Sequence, residues 1–348
     1  MGRVKKKRAG RRRKGEILPP ANPIAAAFFR NPPGPLVTII AVALGVGFGL
    51  SAAYISSRGS DASASYAAAL DLRDAPLTAA DAVSTDRAAV VAHILSAGAP
   101  ERLQPDLGRP KGAAKPKIIL IFDDVGIDRV AFGEIMRLPG PLTLSFLPYA
   151  KDVQALVDTA KARGDEIMLH LPMEPLGVAN PGPHTLKTNE SAEKIFDDLS
   201  WSLAQFTGYD GVNNHMGSRF TRNEQDMKRV LALLKQRGLF FIDSLTTSKS
   251  AASKAGAAVG AEVYLRDVFL DPEPGEAIVR RQLALAERIA DATGYAVVIC
   301  HPREETLAIV GPWLTTAIAR GFELDTASHL RAIKTASKSA PAKRARAQ

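Results

Sequence analysis

Beyond Pro116 the sequence alternates short apolar runs with longer stretches in which apolar residues recur every three or four positions. The runs are Ile118 to Phe122, Leu142 to Leu147, Glu166 to Leu171, Gly211 to Met216, Leu239 to Asp243, Val263 to Phe269 and Ala296 to Cys300, with an eighth at Phe322 to Leu324. Most are too short for helices and read as buried strands. Between them Val153, Leu156, Val157 and Ala160 follow the spacing of a helix face, as do Met227, Val230, Leu231 and Leu234. For the second of these helices, Thr221 with Glu224 has the capping-box spacing, and Gly238 stands where a C-terminal cap belongs.

Strand, helix and strand repeated in this way predict a parallel sheet with helices outside, and about seven to eight such units close into a (β/α) barrel. A doubly wound open sheet is the alternative α/β arrangement. No G-x-G-x-x-G or G-x-x-x-x-G-K-[ST] loop follows any run, so a nucleotide site has no support.

A different pattern precedes this region. From Leu36 to Ile55 the sequence LVTIIAVALGVGFGLSAAYI carries no charge, which at a rise of 1.5 Å per residue matches a hydrocarbon core of about 30 Å. It predicts one transmembrane helix, longer than the apolar region of a cleaved signal peptide. Lys5, Lys6, Lys7, Arg8, Arg11, Arg12, Arg13 and Lys14 all precede it, and the positive-inside tendency keeps such a cluster cytoplasmic. The resulting expectation is a basic cytoplasmic arm over 1–35, an anchor over 36–55 and a linker over 56–115 with one helix near 78–96. A barrel domain over 116–333 and a basic, disordered tail over 334–348 follow.

The net charge of +9 over 348 residues would invite a nucleic-acid reading until it is located. About ten Lys and Arg lie in the first 35 residues and five in the last 15, whereas 116–333 comes out near −5. A mildly acidic folded body argues against a nucleic-acid partner. Cys300, the only cysteine, excludes an internal disulfide and a cysteine-based zinc cluster.

Candidate chemistry gathers at the C-terminal ends of the apolar runs: Asp123 and Asp124, His170, Asn214 and His215, Asp243 with Ser244, and His301. In a parallel barrel those ends share one rim, the face on which active sites are built. The remaining histidines, His93, His184 and His329, fall elsewhere. Each rim residue alone has an ordinary structural role open to it, as a turn residue, a cap or a hydrogen-bonded core group. Adjacent carboxylates in a dry site need a cation, because like charges raise one of the two pKa values. Asp and His donors suit zinc or a similar divalent ion, which lowers the pKa of bound water to about 7.

Taken in order, IFDDVG, HLPMEP, GVNNHMGS, FIDS and CHP resemble the divergent polysaccharide deacetylases across the whole of 116–333. The resemblance implies a distorted (β/α) barrel and a hydrolase that removes acyl groups, N-acetyl above all, from an envelope polysaccharide or peptidoglycan-like glycan. It also implies a divalent metal, zinc first, and a place at the bacterial inner membrane with the domain in the periplasm. By carry-over Asp123 is the base, Asp124 and His170 are metal ligands, metal-bound water is the nucleophile and His301 is the acid. The sequence departs from the wider family where His-x-x-x-His would place a second His, because the fourth residue after His170 is Glu174. The Arg-x-Pro-Tyr motif is also missing, with Asn213, Asn214 and His215 in its approximate place.

His215, from its own strand end, is favoured as third ligand over Glu174, which is left to cap a loop or contact substrate. Asn214, Asp243 and Ser244 are read as residues that orient a ligand histidine or contact substrate, with a helix cap as the plain alternative for Asp243. Arg266, Asp267 and Asp271 read as surface ion pairs or substrate contacts. Pro302 is read as a helix-start residue and Cys300 as core packing. The departures keep open a second function, a non-catalytic envelope module that docks glycan or protein on a degenerate deacetylase fold.

Overall fold

The structure, a computed structural model, describes residues 79–96 and 114–333. The basic arm, the apolar run 36–55, the tail 334–348 and parts of the linker lie outside the described residues. Among those described, no helix is long and apolar enough to cross a membrane.

In chain order the elements are α1 (Ala79–Ser96), β1 (Lys117–Val125), α2 (Arg129–Ile135), β2 (Thr143–Phe146), α3 (Val153–Arg163), β3 (Glu166–Met173), α4 (Ala192–Ala204) and β4 (Gly211–Met216). There follow α5 (Glu224–Gln236), β5 (Phe240–Asp243), α6 (Ala252–Val259), β6 (Val263–Leu265), β7 (Val268–Phe269), α7 (Glu276–Thr293), β8 (Tyr295–Cys300), α8 (Glu304–Ala319) and β9 (Glu323–Asp325). Every strand pair is parallel, in the order β6-β5-β4-β3-β2-β1-β8-β7, with β9 beside the first three residues of β1.

The apolar run 263–269 thus divides into two short strands at opposite ends of the sheet path, with only Arg266 and Asp267 between them. The Arg266 backbone N–H donates to Asp243 at the end of β5 (3.2 Å), and the next residue, Asp267, donates to Val297 of β8 (2.9 Å). The chain itself carries one edge of the sheet to the other, so the sheet curls as a (β/α) barrel does.

Alternation along the strands sorts two cores. Ile119, Ile121, Met168, Phe240, Ile242, Val297 and Ile299 pack together inside, with Ala327 and Leu330 from the segment after β9. The intervening residues, among them Leu120, Phe122, Leu144, Leu169, Val212, Val298 and Cys300, face the helices. Gly211 is required for this inner packing, since a Cβ there would lie 2.5 Å from the Phe240 ring.

The predicted helix faces are the buried ones: Val153, Val157 and Ala160 on α3, and Met227, Val230, Leu231 and Leu234 on α5. The cap of α5 differs from expectation. Asn223 is the N-cap, accepting from the N–H groups of Gln225 and Asp226 (3.1 and 3.2 Å). Thr221 instead sits in a preceding 3-10 turn and donates to the Gly217 carbonyl (2.9 Å). Asn offers its acceptor one residue before the helix, where two free N–H groups converge. Gly238 does take the left-handed conformation just past the helix (φ 72°).

The helix expected near 78–96 is docked rather than spacer-like. Val91 and Ile94 are buried in the main core, and Arg87 donates to both carboxylate oxygens of Asp267 (3.1 and 2.8 Å) and to the Tyr295 carbonyl (3.0 Å). Its guanidinium also lies 3.8 Å from the Tyr295 ring centroid. The folded unit therefore begins before residue 116. Asp267, 6% exposed, loses its cation in Arg87→Met and keeps only the Val297 N–H. That change is expected to cost about 1.5–3 kcal/mol, measured by urea unfolding, and an unchanged midpoint would refute the docking.

Candidate metal centre and active site

The inner faces of the strands are apolar at their N-terminal ends and turn polar at the C-terminal ends. On β1 the inward series Ile119, Ile121 leads to Asp123, on β3 Met168 leads to His170, and on β8 Val297, Ile299 lead to His301. On β4 the series is Gly211, Asn213, His215, and Asn213 pairs in register with His170. Helix-covered strands anchor these side chains, so the rim is built on rigid elements.

Two neighbouring carboxylates on one strand should face opposite ways. They do not here because the register of β1 against β2 shifts between Phe122 and Val125, a bulge, and Asp124 is left-handed (φ 59°). An extra residue in a strand re-aims the next side chain. Asp123 stays buried (2% exposed), while Asp124 turns back over the same mouth.

Asp124 Oδ1 lies 2.8 Å from His215 Nδ1 and 3.2 Å from His170 Nε2, and those two nitrogens are 3.2 Å apart. Close as they are, Asp124 Oδ1 has no aligned hydrogen-bond partner. Three ligand atoms that converge within 4.8 Å of one another, an oxygen and two imidazole nitrogens, have the chemistry of a divalent-cation site. Burial opposes ionisation of Asp124, but the hydrogen-bonding groups and charges of His170 and His215 outweigh it and hold its carboxyl well below the usual range. At His170 burial favours the neutral ring, yet Asp123, Asp124 and Asn213 overcome it and raise the pKa to about 8.

Asp123 Oδ1 accepts from Asn213 Nδ2 (2.7 Å), and Oδ2 stands 3.7 Å from His170 Nε2. Burial pushes its pKa up, against the opposing influence of His170, His301 and Asn213. Across the mouth, His301 Nε2 is 3.8 Å from Asp124 Oδ2. Its Nδ1 contacts Asp271 Oδ1 at 3.1 Å, and its backbone N–H donates to Asp271 Oδ2 at 3.0 Å. Burial would lower the His301 pKa, but Asp271, with Asp124 and Asp123, raises it.

Asp271 is thus no surface ion pair. It is 1% exposed and also accepts from Thr306 Oγ1 (3.0 Å). Arg266 and Asp267 likewise serve the scaffold: Arg266 donates to the Ser244 and Leu245 carbonyls, and Asp267 holds Arg87.

Other expected rim residues divide by strand parity. Glu174 lies outside the cation cluster; its carboxylate accepts from Thr188 N–H and Oγ1 (2.8 and 2.7 Å) and pairs with Arg219, pinning the loop after β3. Asn214 faces away from the centre and braces β4 to β5, donating to Met216 O and accepting from Ser244 N. Asp243 accepts from Leu245 N–H (2.9 Å) in a turn rather than capping a helix. Ser244 Oγ reaches Asn213 Nδ2 at 3.4 Å. Pro302 precedes the N-cap Arg303 of α8, two residues before the first helical position.

Three residues of the site were given no role from the sequence. Asn213 is fully buried between Asp123 and His170, and the count by twos along β4 from Gly211 finds it. Ser145, inward on β2, donates to Asn213 Oδ1. Tyr149 follows β2, and its ring rests against Gly182 (φ 106°), where a Cβ would lie 2.5 Å from it; burial and the nearby Asp124 raise its pKa.

A family model described as divergent polysaccharide deacetylase matches residues 120–331. An uncharacterized protein of Haemophilus influenzae is 32% identical over 197 residues, covering 57% of this chain and 70% of that one. The uncharacterized protein YibQ of Escherichia coli K12 is 29% identical over 194 residues, covering 56% of this chain and 61% of its own length. Among solved structures, an uncharacterized protein from Agrobacterium tumefaciens C58 has a TM-score of 0.60 at 32% identity, covering 64% of this chain and 92% of that one.

Proposed function

The chain belongs to the divergent polysaccharide deacetylase family, and from that membership we propose that it hydrolyses acyl amides, N-acetyl groups first, on a glycan of the bacterial envelope. The observation that carries the reading is the convergence of Asp124, His170 and His215 between a buried Asp123 and an Asp271-braced His301. A divalent cation held by those three side chains, zinc by the chemistry of an oxygen and two imidazole nitrogens, supplies Lewis acidity and a lowered pKa for water.

The residues of the chain divide the proton work. Asp123, with Oδ1 tied to Asn213, has Oδ2 turned to the centre to take the proton of the attacking water. As the water oxygen bonds the acyl carbon and the C–N bond breaks, His301 gives its Nε2 proton to the departing amine. Asp271 at Nδ1 sets that ring's orientation and raises its pKa, which favours the protonated form that an acid needs. The products are acetic acid, which ionises to acetate in water, and a free amine. Asp123 is left protonated and His301 neutral, and a proton exchange with solvent resets both.

By this reading the apolar run Leu36 to Ile55 holds the chain in the inner membrane with the catalytic domain on the periplasmic side. The test is acetate release from N-acetylglucosamine oligomers by the full-length protein in detergent, before and after chelation and with zinc returned. Release that stops on chelation and resumes with zinc is expected. No release under any loading, or release indifferent to chelation, would overturn the proposal, and a C-terminal alkaline phosphatase fusion without activity would overturn the outward placement.

A further inference from the structure

The amide of Asn213 stands between two groups with different requirements. Its Nδ2 is 2.7 Å from Asp123 Oδ1 and its Oδ1 is 2.7 Å from His170 Nδ1. An ionised carboxylate only accepts, so the amide NH2 must face Asp123 and the carbonyl must face His170. A carbonyl only accepts, so His170 Nδ1 must carry the hydrogen. Nε2 is then left with its lone pair, and Nε2 is the atom that meets Asp124 Oδ1 and His215 Nδ1, each at 3.2 Å.

The opposite amide orientation fails at both ends. It sets a carbonyl oxygen against a carboxylate at 2.7 Å and drives the His170 hydrogen to Nε2, into the space where a cation belongs. Ser145 Oγ also contacts Asn213 Oδ1, but a hydroxyl donates or accepts and serves either orientation. Asn213 is fully buried, so bulk water does not substitute for either bond. Two residues earlier on the same face, Gly211 lies against the Phe240 ring, which fixes how closely β4 sits to its neighbour.

We propose that Asn213 is a positioning residue that orients the ligand His170 and the base Asp123 at once, fixing the His170 tautomer while holding Asp123 by a single oxygen. This rests on the reading of Asp124, His170 and His215 as a cation site. Metal-ligand histidines depend on the group at their other nitrogen, with typical losses of about 10- to 100-fold in metal affinity when it is removed. Here that group also grips the general base, so the two functions are separable by chemistry at one position.

The experiment uses full-length protein in detergent with nitrogen-labelled histidine, stripped of metal and recorded at a pH where the nitrogen shifts themselves report a neutral His170 ring. Wild-type protein is expected to show His170 protonated at Nδ1. Asn213→Leu is expected to mix the tautomers and lower zinc affinity by about 10- to 100-fold. Asn213→Asp retains an acceptor for Nδ1–H, so it is expected to keep the tautomer and zinc affinity within a few-fold. It offers Asp123 a second carboxylate instead of a donor, and kcat is expected to fall by about 100-fold with KM little changed.

If Asn213→Leu misfolds by circular dichroism, the Asp variant and the wild-type tautomer still decide the matter. A wild-type His170 protonated at Nε2, an Asp variant that loses zinc as the Leu variant does, or a folded Leu variant unchanged in tautomer and affinity would each overturn the proposal. Wild-type protein with the expected tautomer but no zinc uptake would instead overturn the cation reading and support the hydrogen-bond assignment.

Discussion

Asp123→Asn is expected to lower kcat on an N-acetylated oligomer by about 10³-fold or more while the protein becomes harder to melt. The two effects share one cause. Asp123 is buried, and burial raises its pKa. A folded-state pKa above the unfolded value means that the folded protein binds the proton more tightly. Stability therefore falls as pH rises from the unfolded carboxyl pKa through the raised one. At pH 7 the ionised group is a cost to folding that an amide of the same shape removes. The introduced carbonyl oxygen still accepts from Asn213, so the network keeps its shape, but an amide takes no proton from water. Thermal unfolding of metal-free protein at pH 7 and steady-state kinetics check the pair. Retained turnover would remove Asp123 from the base role, and a lowered melting temperature would contradict the burial argument.

His301→Gln is expected to cost about 10²- to 10⁴-fold in kcat, and Asp271→Asn gives the more telling result. Asp271 outweighs burial to raise the His301 pKa, so the imidazolium persists to higher pH than it otherwise would. An acid must hold its proton to act; activity is present below that raised pKa and lost as pH climbs through it. With the carboxylate replaced by an amide, the fall in kcat/KM is expected to begin at lower pH, with kcat at neutral pH down about 10²-fold. A basic limb that does not move in Asp271→Asn would show that His301 is not the acid, whatever the size of the rate loss.

The barrel was readable because buried parallel strands leave continuous apolar runs and helices leave a three-to-four spacing, and both signals are local. The C-terminal rim follows from the polar residues at the ends of those runs, which groups His170, His215 and His301. What the runs hid was parity. Asn214 and Asp243 stand at strand ends like their neighbours, yet they point outward, and Asn213 and Ser244 point in. Counting by twos from Gly211 would have made the exchange at β4.

Other features had no local signal at all. Asp271 looks like a surface acid in the sequence and becomes buried only when β7 and β8 bring it against His301. Arg87 meets Asp267 across 180 residues of chain. α1 packs against α7, which lies far along the chain, and nothing within 79–96 announces that partner.

The bulge at the end of β1 bears on protein design. A designer who transplants side chains from this centre onto an ideal barrel strand would obtain one carboxylate facing the mouth and its neighbour facing the helices. The function of the pair is therefore written in backbone as much as in side chains. What must be copied is the irregular step between Phe122 and Val125 with its left-handed Asp124, a conformation that L-residues other than glycine adopt at a cost of about 1–3 kcal/mol. A scaffold chosen for perfect regularity would be the wrong recipient, and a strand already carrying a bulge at its rim would be a better one.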